Sequence, residues 1–289
     1  MERKLVSFDW AMKKILRQKA NFVILEGFLS ELFKFDVEIV EILESEGNQE
    51  SQNDKFNRVD LLAKDSREEL ILIEVQYDSE QDYFHRMLYG ASKLICEYME
   101  KGEAYSKVKK VYSVNIVYFA LAKGDDYLYH GKTEFKGQND LDEVFELSTL
   151  QQKEFGINKV YEIFPEYFVI RVNKFNDITK NRLDEWIYFL KNEMIKDDFK
   201  AKGLDKAQKT LDIMKLKDED RRAYNRKLDN LSLEKSLIRS AEIEAEERGR
   251  QDGNKSAKIE IAKSLLDILD IEIISSKTGL SVEEIERLK

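Results

Sequence analysis

Residues 57–76, NRVDLLAKDSREELILIEVQ, limit what this chain can fold into more tightly than any other stretch. Two short runs rich in apolar residues flank a polar turn, DSREE, which is the pattern of an antiparallel hairpin. Strand interiors disfavour Asp, yet Asp60 stands beside Leu61 and Leu62, and the strand Leu70–Ile73 ends by carrying Glu74 and Gln76. Folded about the turn, the two strands bring Asp60 opposite a residue within one or two positions of Glu74. Glu74 and Gln76 are two apart and share one face. Two carboxylates and an amide at a strand end suit a hard cation such as Mg²⁺, which takes one or two carboxylates together with water and substrate oxygens. The Val75 carbonyl lies between them. The same spacing also fits a strand edge with solvated acids, and spacing alone leaves both readings open.

The flanking sequence places this hairpin in a mixed α/β core. Residues 8–33 put Phe8, Met12, Ile15, Leu16, Phe22, Leu25, Leu29 and Leu32 at helical spacing, with Ser7 as a cap and Asp9 in the first turn. Residues 36–43 alternate like a strand, and 44–55 are polar and loop-like. A helix over 79–102, ended by Gly102, precedes a buried strand over 109–121. Further strands are predicted at 126–135, 143–150 and 167–175, the last just after Pro165, the only proline. This order predicts a mixed sheet flanked by helices, not a doubly wound repeat.

Beyond about residue 180 the composition becomes that of charged helices, poor in Gly and Pro. The expected division is therefore a domain over 1–178 and a charged helical region over 179–289. Residues 201–289 hold 19 basic and 19 acidic residues, whereas residues 1–200 hold 29 and 38, so the net charge of −9 sits in the front part. Leu231, Leu233, Leu237, Ile238 and Ile243 form a short, interrupted apolar stripe through which C-terminal helices could pair into a homo-oligomer. Ser281 and Glu284 form a capping box for a last short helix. The segment 270–289 has the turn glycine of a helix-turn-helix, but its second helix would aim glutamates at DNA phosphates, which favours an assembly tail.

Several chemistries are excluded. His85 and His130 are the only histidines and lack ligand spacing, which argues against zinc and histidine acid–base catalysis. GKTEF at 131–135 lacks the upstream glycine of a phosphate loop. No apolar run reaches membrane-spanning length, and MERKLVSFDW has no apolar signal region, so no membrane partner is expected. The single cysteine, Cys96, is expected to pack in its helix, and its solitude fits a reducing cytoplasm. The net negative charge argues against coating nucleic acid by bulk charge.

At Asp60 and Glu74-Val75-Gln76 the chain resembles the PD-(D/E)XK phosphodiesterase superfamily, and within it the Rpn-type recombination-promoting nucleases, a transposase-like branch. DWAMKKIL (9–16) is similar to that branch's opening helix, with Met12 where Phe is usual. RVDLLA and LILIEVQ resemble its two strands, RMLYGASKL (86–94) its central helix, and KGEAYSKVKKVYSVNIVYF its Gly-x-x-Tyr segment. The likeness covers residues 7–120 well and the C-terminal helices weakly.

This resemblance implies a restriction-endonuclease-like sheet flanked by helices, with a mostly α-helical C-terminal region. It implies hydrolysis of nucleic-acid phosphodiesters, most naturally by a DNA endonuclease linked to recombination or mobile elements, with RNA left open. Asp60 and Glu74 would bind Mg²⁺, or Mn²⁺, and Gln76 would position water. Asp9 would be an outer ligand or would serve a second metal, or would simply favour its helix start. Lys13 and Arg86 are candidate phosphate contacts, Arg86 being otherwise an ion-pair partner of Asp82. Val59 replaces the superfamily proline, and Gln76 the lysine, as is common in this branch. Without that lysine, Lys13, Lys64 or Arg86 would have to supply positive charge. The rival reading is a catalytically weak or inactive nuclease-fold interaction module, which Gln76 and the acidic charge both favour.

Overall fold

The computed structural model describes residues 5–43, 60–213 and 216–288, without the side chains of Lys13, Glu234 and Lys235. The chain forms two compact units, Met1–Lys217 and Asp218–Lys289. The boundary drawn from composition at 178 falls inside the first unit, which also contains α5 (Arg182–Asn192) and α6 (Leu204–Thr210).

The first unit is built on a six-stranded mixed sheet of order β1-β2-β3-β4-β6-β5. Its strands are β1 Ile39–Leu43, β2 Leu61–Asp65, β3 Leu70–Gln76, β4 Val111–Val117, β5 Leu128–Gly131 and β6 Glu166–Arg171. β1, β2 and β3 run antiparallel in succession, β3, β4 and β6 are parallel, and β5 is an antiparallel edge. Every residue of β4 is buried, as a central parallel strand covered on both faces requires.

Strand alternation sorts the layers. Leu62, Leu70, Leu72 and Val111 pack with Ala91 and Leu94 of α3 (Tyr83–Glu97) on one face. On the other face Phe33 of α2 (Phe22–Phe33) meets Tyr112 and Phe168, with ring centroids 4.8 and 4.9 Å away. Phe8 of α1 (Phe8–Lys14) packs edge-on against Phe28, Trp186 and Phe189, so α1, α2 and α5 form this second layer. α2 approaches the segment before α6 at backbone distance: a Cβ on Gly27 would come 2.0 Å from the Lys202 carbonyl oxygen.

The hairpin turn is fixed by Asp65. Its Oδ1 accepts the backbone N–H groups of Arg67 (3.0 Å) and Glu69 (2.9 Å), while Oδ2 binds the Arg67 guanidinium. Asx-type bonds of this kind define a tight turn, and Glu68 takes the left-handed conformation within it (φ 65°).

Four local expectations are corrected. The helix predicted over 8–33 is broken after Lys14, where the Asn21 side chain donates to the Ile15 carbonyl at 3.0 Å. The helix predicted to end at Gly102 ends at Glu97. Residues 143–150 form no strand, only an isolated bridge between Lys136 and Val144. Ser148 instead caps α4 (Thr149–Phe155) with Gln151 as the reciprocal partner, a local motif that wins over strand-like composition. Cys96, expected to pack, is exposed on α3.

The second unit comprises α7 (Asp218–Leu265), α8 (Ile271–Thr278) and α9 (Val282–Glu286). Ala262, Ile274, Leu280 and Ile285 form its core. Gly279 (φ 68°) ends α8, and the Ser281–Glu284 capping box read from the sequence starts α9. Leu233, Leu237, Ile238 and Ile243 of α7 are exposed.

Candidate active site

The hairpin register pairs Leu61 with Ile73, so Asp60, one residue earlier, stands beside Glu74. Alternation puts Asp60, Glu74 and Gln76 on the face covered by α3, because Leu62, Leu70 and Leu72 point there. Asp60 Oδ2 accepts the Val75 N–H at 2.7 Å, a bond that ties the carboxylate to the neighbouring strand just where pairing ends. Arg17 Nη2 donates to the Asp60 carbonyl at 3.2 Å.

Glu74 is 5% exposed. Its Oε2 is shut off from solvent and makes no hydrogen bond; Arg86 of α3 faces it, with Nε 3.5 Å away. Arg86 Nη1 donates to Glu80 Oε2 at 3.1 Å, so this guanidinium bridges two acids. In the parallel β3–β4 register Asn115 lies next to Glu74. Asn115 accepts a hydrogen bond from the Tyr83 hydroxyl at 3.3 Å and donates to Ser113 Oγ at 2.9 Å, forming a buried polar floor.

Burial pushes the Glu74 carboxyl up to about 7; Arg86 opposes this, while the Asp60 and Glu80 carboxylates add to it. Taking a carboxylate out of water disfavours its charged form unless a partner compensates, and the unbonded Arg86 contact compensates incompletely. For Arg86 burial works against the charge, but Glu74 and Glu80 outweigh it and hold the guanidinium above its ordinary range. Burial, and then the Glu74 charge, likewise push the Tyr83 phenol upward.

The other residues read from the sequence fall in different places. Gln76 is half-buried at the end of β3, on the face of Glu74, and its backbone carbonyl accepts the Tyr118 N–H at 2.9 Å. Asp9 belongs to the opposite layer. It is 4% exposed, and its Oδ1 accepts the Tyr77 hydroxyl at 3.0 Å; Tyr77 in turn stacks on Tyr118 with centroids 4.4 Å apart. The structure thus brings Asp60, Glu74 and Arg86 together with Gln76 on the same face, and joins Asp9 to Tyr77, the residue after Gln76. Arg86 pairs with Glu74 and Glu80, not with Asp82 as the sequence suggested. Lys64 is engaged elsewhere, 3.2 Å from Glu41. The Lys13 side chain and Val59 lie outside the described residues. His85 is exposed, and His130 contacts Glu166 at 2.6 Å.

Sequence reasoning missed Asn115, Tyr83 and Glu80. Asn115 carried a signal, a lone amide in the apolar run VYSVNIVYF, which burial makes costly unless it is bonded. Tyr83 and Glu80 carried none, because only the docking of α3 brings them to the strand ends.

Among the described residues no three His, Cys, Asp or Glu side chains converge as a ready metal cage. Asp60 and Glu74 nonetheless fit the smaller set that Mg²⁺ commonly takes, two carboxylates with the remaining positions left to water and substrate. The buried, unbonded Glu74 Oε2 is the observation that fits a cation there.

No match is found among curated proteins or among solved structures. A family model described as the PD-(D/E)XK nuclease family transposase matches residues 6–241, which include the whole sheet, its flanking helices and the first half of α7. A match over most of the chain, with the mixed sheet and the acids at its strand ends, means that this protein belongs to the PD-(D/E)XK nuclease family of transposases.

Proposed function

We propose that this chain is a metal-dependent phosphodiesterase, a DNA endonuclease serving recombination or the movement of mobile elements. The observation that carries the reading is Glu74 Oε2, buried, without a hydrogen bond and adjacent to Asp60 on the α3 face. Asp60 and Glu74 would hold Mg²⁺ or Mn²⁺, which when bound polarises a phosphate oxygen and lowers the pKa of a water.

The chain's own residues divide the remaining work. The Val75 N–H holds Asp60 in place, so that carboxylate is oriented before substrate arrives. Gln76, sharing the face of Glu74, orients the attacking water by hydrogen bonding; a neutral amide cannot take up its proton or supply charge. Arg86, which lies against Glu74, meets the phosphate; Lys13, read from the sequence as a second phosphate contact, has its side chain outside the described residues. Asp9 supports catalysis indirectly by fixing Tyr77, which directly follows Gln76.

Asp60→Ala and Glu74→Ala should each abolish cleavage of DNA while leaving the thermal transition cooperative. Either variant cutting at the wild-type rate in matched metal would sink this assignment. Gln76 favours a second reading, an inactive nuclease-fold binding module. Gln76→Lys should retain or raise activity and Gln76→Ala should lose much of it; a protein inactive in both the wild-type and the Gln76→Lys form is the binding module. A parallel assay on RNA of the same sequence decides the substrate.

A further inference from the structure

Glu74 and Arg86 meet in an unusual way. Glu74 Oε2 and Arg86 Nε are 3.5 Å apart, both closed to solvent, and neither makes a hydrogen bond. Buried polar atoms are nearly always bonded, and charged pairs gain most when they are. The neighbours leave no substitute: the Tyr83 hydroxyl is given to Asn115, and Asp60 Oδ2 is bonded to the Val75 N–H. Arg86 has a second anchor in Glu80, with Nη1 and Oε2 at 3.1 Å, on a carboxylate nearer the surface than Glu74.

We propose that Arg86 is an exchangeable counter-ion: it neutralises Glu74 in the metal-free protein, yields that carboxylate to the divalent cation, and pivots on Glu80 to meet the substrate phosphate. This rests on the nuclease reading above and deepens it. Two cations on one buried carboxylate repel strongly, so the metal and the guanidinium compete for Glu74. The loose contact makes Arg86 the weaker claimant, and Glu80 keeps it within the site once displaced. The exchange also accounts for Gln76. The positive charge that a lysine would place on the strand is supplied here from α3, at the moment the metal binds.

The test separates the two claims. Mn²⁺ binding to the metal-free full-length chain is measured by titration calorimetry without DNA at about pH 8.5, where a carboxyl with a pKa near 7 is ionised. Arg86→Met should bind Mn²⁺ about tenfold more tightly than wild type, because its competitor is gone. The same variant should cut DNA about 10²-fold more slowly at saturating Mn²⁺, because the phosphate contact is gone. In wild-type protein the Arg86 Nε–H resonance should move on titration with Mg²⁺, with the midpoint found by calorimetry, which keeps the proposal testable should the variant fold poorly. An Arg86→Met protein that binds Mn²⁺ no more tightly, or an Arg86 resonance that stays in place as Mg²⁺ saturates, overturns the exchange alone. A Glu74→Gln protein that binds Mn²⁺ as wild type does overturns the metal site and the exchange with it.

Discussion

At the scale of single residues the site is organised around one uncomfortable carboxylate. Glu74 ends an apolar strand, faces a helix, and has its ionisation pushed up to about 7 by burial. In chelator, the folded protein therefore keeps a proton that the unfolded chain releases between about pH 4.5 and 7. This contribution to stability is complete below about pH 4.5 and is lost as the pH rises through about 7. At about 1.4 kcal/mol per unit it amounts to about 3 kcal/mol. Denaturant titrations of the metal-free protein across this range should show that decline, and Glu74→Gln should remove most of it. An unchanged slope in Glu74→Gln would place the titrating group elsewhere. Asp60 and Glu74 were legible because a carboxylate beside apolar strand residues is anomalous in one dimension. The bond of Asp9 to Tyr77 was not, since neither its type nor its spacing says which face of the sheet α1 covers. Glu80 and Tyr83 reach the site only through the docking of α3, and local sequence holds no record of that.

At the scale of elements, what the sequence revealed follows periodicity, and what it concealed follows local bonds. β3 and β4 are predominantly apolar and were readable as buried strands, with Glu74 and Asn115 among their polar exceptions; the mixed sheet followed from their order. At the break after α1 the Asn21 side chain bonds the Ile15 carbonyl, and a capping box at Ser148 starts α4, local bonds that helical and strand-like composition does not reveal. The same local logic makes Gly27 indispensable to the second layer. A methyl group there would meet the Lys202 backbone, which cannot rotate aside as a side chain would. Gly27→Ala should destabilise the protein by about 1–3 kcal/mol, the usual range for overpacking, even though alanine is the better helix former. Equilibrium denaturation measures this; a Gly27→Ala protein as stable as wild type would show that α2 and the segment before α6 are not in backbone contact.

At the scale of the whole molecule, composition changes near residue 180 but packing does not. Trp186 and Phe189 of α5 close on Phe8 and Phe28, and all four are buried. We therefore expect a chain truncated after Lys217 to fold and to cut DNA, and a chain truncated after residue 178 to lose cooperative unfolding. Circular dichroism melts of the two truncations check this, and a residue-178 truncation with a wild-type transition would restore the boundary drawn from composition. Leu233, Leu237, Ile238 and Ile243 of α7 are exposed; a homo-oligomer paired through them would scatter as a larger particle in the full-length chain than in the residue-217 chain, and equal masses for the two would rule that pairing out. If the acids on the α3 face make this family member a metal-dependent nuclease, its cutting of DNA requires a divalent cation. The most direct test is a time course of supercoiled plasmid with the purified full-length chain, in Mg²⁺ and in excess EDTA. A metal-dependent nuclease gives nicked and then linear DNA in Mg²⁺ and intact plasmid in EDTA; equal cutting in both, or intact plasmid in Mg²⁺ and Mn²⁺ alike, means that the acids on the α3 face do not make a metal-dependent nuclease site.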